Sequence, residues 1–136
     1  MAGKDSLQRL VRAARRAREG AYSPYSGVKI GAAVLSSGGS IHTGANVENV
    51  SYGLSCCAER TALFSAVAGG DRKIVAIAVV GGSEEFTRPC GACRQVMVEF
   101  NPRMKVLMRG IDGFSEDGTA ESLLPHRFRP AGLAKR

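Results

Sequence analysis

The sequence of 136 residues contains no tryptophan, only two histidines and only four cysteines. No apolar run approaches the roughly 20 residues needed to cross a bilayer, and the basic first twenty residues lack the apolar core of a secretory signal. These absences predict a cytoplasmic protein with no membrane partner. Without an export signal, the four cysteines are better interpreted as thiols or metal ligands than as disulfides.

Internal repeats, long low-complexity stretches and a phosphate-loop pattern are also lacking. Apolar residues make up 44% of the chain and charged residues 23%, close to the average of globular proteins, which argues against disorder, collagen and a disulfide-stapled scaffold. A chain of this length fits one domain with a sizeable core. We therefore expect a single domain over residues 1–136.

The net charge of +7 is confined to the two ends of the sequence. Residues 1–20 carry a formal charge of +4 and residues 126–136 another +4, whereas the middle carries −1. Solvated helix faces and tails commonly have this distribution, so it is weak evidence for nucleic acid. On this evidence we expect no nucleic-acid partner.

Hydrophobic periodicity and punctuation residues predict the secondary structure. A first amphipathic helix begins at a capping pair, Asp5 and Gln8, and ends near Gly20. The segments that follow are, in chain order, two hairpin strands (28–35 and 41–47), a helix (56–68), a strand (74–80), a helix (90–100), a strand (105–109) and a last short helix (119–124). Because 74–80 is apolar on both sides, it should be a central strand covered on both faces, in a three-layer α/β domain.

Three cysteines have the spacing of a metal site. Cys90 and Cys93, three residues apart at a helix start, lie on one face, and Cys57 would join them from the start of another helix. Three thiolates suit a tetrahedral zinc ion with one position open to water. Neither histidine has zinc-ligand spacing, and Cys56 diverges from Cys57 by about 100° in a helix, so Cys56 is interpreted as a buried thiol.

Glu59 follows Cys57 by two residues. Within a regular helix the two side chains would point about 200° apart, so both can reach one metal-bound water only if Cys57 lies at the cap, outside helical geometry. A carboxylate in that place can remove and later return a proton. The alternative is an ordinary first-turn acid, which the helix dipole favours.

Residues 57–60 (Cys-Ala-Glu-Arg) and 89–95 (Pro-Cys-Gly-Ala-Cys-Arg-Gln) closely resemble the small, homotetrameric, zinc-dependent cytidine deaminases. Residues 22–26, 31–33, 46–49, and 123–125 with Phe128 extend the resemblance over nearly the whole chain. It implies a three-layer α/β/α fold with a mixed central sheet. It also implies a small-molecule substrate, with hydrolytic deamination of the nucleosides cytidine and 2′-deoxycytidine in pyrimidine salvage, Zn²⁺ as cofactor and Glu59 as catalytic residue.

The resemblance further assigns the substrate contacts. Asn46 and Glu48 project to the same side of an extended segment and would bind the ribose. Arg60 would hydrogen-bond the zinc thiolates and offset their charge. The remaining contacts are the backbone of Ala58 against the pyrimidine, Phe128 extended over the base of a neighbouring subunit, and Tyr52 at the subunit junction. The last three positions could instead be simple packing.

Val28 departs from the family pattern, because many members carry phenylalanine in this segment. A valine cannot stack on a pyrimidine as an aromatic ring does, which leaves the exact substrate open. The nearest enzymatic alternative is a deaminase of a cytosine-containing antibiotic such as blasticidin S. A thiol redox protein using Cys90 and Cys93 is a further alternative, but it leaves Cys57 and Glu59 unexplained. The alternative from another class is a noncatalytic zinc module that binds polynucleotides through the basic ends of the chain, with Cys56 as a fourth zinc ligand.

Overall fold

The computed structural model describes residues 2–130. The described chain forms a five-stranded sheet with helices on both faces. Its elements, in chain order, are α1 (Lys4–Ala17), β1 (Gly31–Ser36), β2 (Ile41–Ala45), α2 (Ala58–Ala68), β3 (Ile74–Gly81), α3 (Glu84–Thr87), α4 (Gly91–Phe100), β4 (Lys105–Gly110) and β5 (Ser115–Thr119). None of the helices in residues 2–130 is long and apolar enough to cross a membrane.

The sheet has the strand order β2-β1-β3-β4-β5. The β3–β4 pair is parallel, and the other three pairs are antiparallel. Strand β3 is central, and its side chains are buried on both faces: Ala76, Ala78 and Val80 on one, Ile77 and Val79 on the other. The pair directions confirm the predicted mixed sheet. The burial of β3 on both faces confirms that this apolar strand is central and covered on both sides.

One helix covers one face of the sheet, and two helices cover the other. Leu10 and Ala14 of α1 pack with Ala33 and Ala78. Helices α2 and α4 pack on the opposite face, where Leu63 and Met97 belong to the cluster that contains Ile77. The N-termini of α2 and α4, which carry the cysteine motifs, are thereby held against the same face of the sheet.

Two glycines allow α1 and α2 to approach the strands of the sheet closely. A Cβ at Gly31 would lie 2.1 Å from the Ala14 backbone oxygen of α1, and a Cβ at Gly44 would lie 2.4 Å from the Ala62 backbone nitrogen of α2. No side chain fits at either distance. The separation of α2 from β2 is therefore set by Gly44.

The predicted start of the first helix is wrong. Helix α1 begins at Lys4 after Gly3, which makes no side-chain capping bond, so Asp5 and Gln8 are not a capping pair. Asp5 lies in the first turn instead, where the helix dipole stabilises its negative charge. The α-helix ends at Ala17, and a 3₁₀ turn continues to Gly20.

The predicted last helix, residues 119–124, is also wrong. Strand β5 occupies Ser115–Thr119, and residues 120–130 form turns, a bend and irregular chain. The Ser122 amide does donate to the Thr119 hydroxyl at 3.2 Å, as at a helix start. The few residues before Pro125 are too short to propagate a helix after this contact.

Candidate active site

The starts of α2 and α4 bring three cysteine sulfurs together. Cys57 and Cys90 each precede a helix with extended backbone, and Cys93 lies in the first turn of α4. The Sγ atoms of Cys57 and Cys90 are 3.7 Å apart, those of Cys90 and Cys93 are 3.5 Å apart, and all three lie within 4.8 Å of one another. Cys57 therefore lies at the cap, outside helical geometry, which is the position it needs if Cys57 and Glu59 are to reach one metal-bound water.

The sulfur triangle fits a zinc ion. Four ligands around zinc at a Zn–S distance of about 2.3 Å are separated by about 3.8 Å, close to the two sulfur distances above. Within residues 2–130, no further His, Cys, Asp or Glu atom joins this group. Cys56 stays outside it, and its sulfur accepts a bond from the Thr61 hydroxyl at 3.6 Å. The interpretation of Cys56 as a buried thiol is wrong, because the residue is half-buried and lines the cavity beside Cys57. The three sulfurs therefore suit a metal with an open coordination position.

The sulfur cluster resists carrying three negative charges by itself. Hydrogen bonds from Cys93 and then Arg60 lower the pKa of Cys57 to about 5. The hydrogen bond to Cys57, together with burial, raises the pKa of the Cys93 thiol well above its ordinary value. A divalent cation is what allows all three thiols to ionise together, since metal binding displaces thiol protons.

Arg60 lies beside the sulfurs. Its Nη2 atom donates to the Cys57 Sγ at 3.5 Å, and its buried Nε atom has no hydrogen-bond partner in the described chain. The Cys57 hydrogen bond also raises the pKa of this guanidinium. The residue therefore places a permanent positive charge against a cluster that becomes anionic when metal binds.

Glu59 lies in the first turn of α2 with only 4% of its surface exposed. Burial raises the pKa of its carboxyl to about 7, and the nearby Cys57 charge adds to the effect. A carboxyl with a pKa near neutrality both accepts and returns protons efficiently, which is the requirement for general acid–base catalysis. The geometry therefore suits proton transfer in the adjoining cavity.

A cavity of about 430 Å³ opens beside the cysteines and Glu59. Of the residues predicted to contact substrate, four line it: Val28, Asn46, Glu48 and Ala58. Tyr52 and Phe128 do not line it; each is 75% exposed, and Tyr52 packs edge-on against Tyr25 with ring centroids 6.1 Å apart. A single chain therefore brings the cysteine sulfurs, the Glu59 carboxyl and the polar side chains together at the cavity, but not the two aromatic side chains.

Asn46 and Glu48 hold the cavity wall formed by residues 25–30. The Asn46 Oδ1 accepts from the Ile30 amide at 2.8 Å, and its Nδ2 donates to the Val28 carbonyl at 2.8 Å. The Glu48 carboxylate accepts from the amides of Tyr25 and Ser26 and from the Ser26 hydroxyl. These bonds, the Ser26 hydroxyl first, hold the pKa of Glu48 below its usual range. Glu48 therefore remains a charged acceptor at the cavity.

Sequence reasoning missed several residues of the cavity wall. Ser26 and the segment before the second cysteine motif, with Phe86 and Arg88, also line the cavity. Arg88 is tied to Glu116 at 2.9 Å and stacks over Phe114 at 5.4 Å from the ring centroid. The sequence feature that could have identified Phe86 and Arg88 was their position just before the second cysteine motif.

Most of the chain matches a known protein family. The family model described as the cytidine and deoxycytidylate deaminase zinc-binding region matches residues 4–109. The chain belongs to this family. Zinc is the cofactor of the family region, and the cysteine triangle is the place in this chain that fits it.

Relatives of this deaminase match over most of their length. A cytidine deaminase of Halalkalibacterium halodurans is 52% identical over 122 residues, covering 89% of this chain and 92% of the relative. A cytidine deaminase of Sporosarcina psychrophila is 44% identical over 129 residues, covering 94% and 95%. The crystal structure of cytidine deaminase from Burkholderia pseudomallei superposes with a TM-score of 0.86 at 50% identity, covering 89% of this chain and 98% of that one.

Proposed function

We propose that this chain is a zinc-dependent cytidine deaminase that hydrolyses cytidine and 2′-deoxycytidine to the uracil nucleosides and ammonia. The observation that carries the proposal is the buried Glu59 carboxyl, in a nucleoside-sized cavity beside three clustered cysteine sulfurs. The named activity of relatives at 44% and 52% identity supports it.

Cys57, Cys90 and Cys93 would hold the zinc ion. Zinc bound there supplies Lewis acidity that activates water near neutral pH. Glu59 takes one proton from the attacking water and delivers it to N3 of the pyrimidine. It then takes the remaining proton from the hydroxyl formed at C4 and delivers it to the departing amine, so that the C4 carbonyl forms as ammonia leaves. The buried position of Glu59 keeps this proton out of bulk solvent, and Arg60 offsets the negative charge of the thiolates.

Asn46 and Glu48 would bind the sugar. Each Asn46 amide atom already makes one bond to the wall, which leaves one N–H and one lone pair for a hydroxyl. Glu48 offers acceptors only, so a sugar hydroxyl would donate to it. The backbone of Ala58 and the side chain of Val28 would face the pyrimidine, in keeping with their places on the cavity wall.

The active enzyme is proposed to be a homotetramer of single-domain subunits in the cytoplasm, acting in pyrimidine salvage. Exposed apolar side chains support the assembly: Val50, Tyr52, Leu54 and Phe128 are 72–77% exposed in one chain. Three of these side chains lie within residues 50–54, and a cluster of exposed apolar side chains is typical of a protein interface. Tyr52 and Phe128 would then complete the cavity of a neighbouring subunit.

The experiment that tests the function measures zinc per chain and cytidine turnover in the wild type and in Glu59→Gln. Both proteins should hold about one zinc per chain, whereas turnover by the variant should fall by at least roughly 100-fold, because amide replaces the proton carrier. Glu19→Gln, an exposed control, should keep wild-type turnover.

Full turnover by Glu59→Gln would remove Glu59 from the mechanism. Blasticidin S, tested beside cytidine by ultraviolet absorbance, checks the substrate class. Turnover of the antibiotic alone would overturn the nucleoside assignment.

A further inference from the structure

A second concave site lies on the face of the sheet opposite the candidate active site. It is a groove of about 700 Å³ between α1 and strands β4 and β5. Five basic side chains line it, and we call it the basic groove: Lys4, Arg12, Arg15, Lys105 and Arg109. It shares no lining residue with the cavity that contains Glu59.

The charge of the basic groove is strongly unbalanced. Asp117 is its only carboxylate within the described chain, so the formal excess is four positive charges out of the +7 of the whole sequence. Asp117 is itself bonded to Arg109, with its Oδ1 2.7 Å from the Arg109 Nη1. Folding brings Lys105 and Arg109 opposite the basic face of α1, although these residues are far apart in sequence. Such convergence of like charge costs free energy, and a bound anion would offset that cost.

The groove combines a fixed guanidinium with an apolar floor. The Arg109 Nη1 donates to the backbone carbonyls of Met108 at 3.0 Å and Glu116 at 3.2 Å, which orients the side chain. Leu7, Val11 and Leu107 also line the groove. An oriented arginine among flexible cationic side chains suits phosphate oxygens, and the leucine and valine side chains offer a surface to an uncharged part of the same ligand.

We propose that the basic groove binds a small polyphosphate anion. Its volume and apolar floor favour a phosphate chain carried by a nucleoside, over inorganic polyphosphate. A second copy of this chain, or the rest of the sequence after Pro130 with its two basic and no acidic residues, does not match the charge of the groove. The proposal is independent of the deaminase assignment, because the two sites share no residue.

The test uses the zinc-loaded enzyme and isothermal titration calorimetry near physiological ionic strength, with sodium tripolyphosphate and ATP as separate probes. ATP is chosen because a purine is not expected to compete for a pyrimidine cavity. Arg15→Gln/Lys105→Gln removes two exposed charges from the groove. Arg9→Gln/Arg16→Gln removes two exposed charges from α1 outside it, as the matched control.

We expect the groove variant to raise the Kd of both probes at least tenfold and the control to raise it less than twofold, with cytidine turnover unchanged in both. Tighter binding of ATP than of tripolyphosphate supports a nucleoside-borne ligand, and equal affinities support the phosphate chain as the whole ligand.

Three results overturn the proposal: no binding by the wild type at millimolar probe, equal weakening by both variants, or tighter binding of a single-stranded oligonucleotide than of ATP with equal sensitivity to both variants. The last result indicates a polynucleotide surface in place of a small-anion groove.

Discussion

Cys57 and Glu59 are separated by one residue, yet both side chains line the same cavity. They do so because Cys57 precedes α2 with extended backbone, whereas Glu59 is already helical. The sequence was sufficient to predict this arrangement, since two helical residues two positions apart point in nearly opposite directions. Cys56 also lies outside the sulfur cluster, but not because of helical geometry, since both Cys56 and Cys57 precede α2.

Ser26 was not singled out from the sequence, because a serine in a turn has no chemical signature of its own. Its hydroxyl donates to Glu48 and accepts from the Val28 amide at 3.0 Å. Ser26 therefore links the proposed sugar-binding carboxylate to the wall that faces the base. It is a positioning residue, since it acts through Glu48.

Ser26→Ala should raise the KM for cytidine roughly fivefold and change kcat by less than twofold, because one hydrogen bond of about 1 kcal/mol to Glu48 is lost. The loss also moves the pKa of Glu48 upward, so the rise in KM on acidification should begin at higher pH in the variant. Steady-state kinetics as a function of pH measure both effects. Ser26→Thr should restore much of the affinity, and Ser37→Ala, at the exposed hairpin tip, serves as the control. An unchanged KM in Ser26→Ala would refute the positioning role.

At the scale of elements, the helices and strands of the core were predictable and the edge of the sheet was not. The helices bearing the cysteine motifs and the apolar strand β3 have strong patterns. Strand β5 has the sequence Ser-Glu-Asp-Gly-Thr, without an apolar alternation, because it is an edge strand of low burial. Its signal was the turn before it, where Asp112-Gly113 precedes the strand and Gly113 has a φ of 104°.

Gly44→Ala should displace α2 and lower the free energy of unfolding by about 1–3 kcal/mol, the usual range for an overpacked site. The added Cβ would lie 2.4 Å from the Ala62 backbone nitrogen and 2.9 Å from the Ala58 carbonyl oxygen, and backbone cannot rotate away as a side chain can. Because α2 carries Cys57 and Glu59, zinc affinity should fall together with stability. Urea unfolding and competition with a chelator measure the two quantities.

Gly20→Ala is the matched control, since a Cβ there meets nothing within 4 Å. It should leave stability and zinc affinity close to wild type. Equal behaviour of Gly44→Ala and Gly20→Ala would mean that the close approach of β2 and α2 does not fix the site.

At the scale of the whole molecule, the sequence alone does not distinguish an aromatic side chain buried in its own subunit from one that contacts a neighbouring subunit. Phe128 and Tyr52 could be named only through family resemblance, because exposure is a property of the folded chain. The structure leaves both 75% exposed and outside the cavity. Their proposed roles therefore depend on the assembly, whereas Cys57 and Glu59 already line the cavity within one chain.

A mixing experiment tests whether Phe128 acts across a subunit boundary. Phe128→Ala and Glu59→Gln should each have low activity alone. After joint refolding, hybrid oligomers contain sites with Glu59 from one chain and Phe128 from its neighbour, so activity should exceed the average of the two variants several-fold. Sedimentation velocity measures the assembly in parallel. Activity equal to the average would contradict a shared site and favour local packing of Phe128.

Three cysteine sulfurs are proposed to hold one zinc ion and to leave one coordination position to solvent. X-ray absorption at the zinc edge of the wild-type enzyme measures this directly. We expect three sulfur scatterers at about 2.3 Å and one oxygen or nitrogen scatterer at about 2.0 Å. Four sulfur scatterers would mean that Cys56 closes the site and would contradict the account.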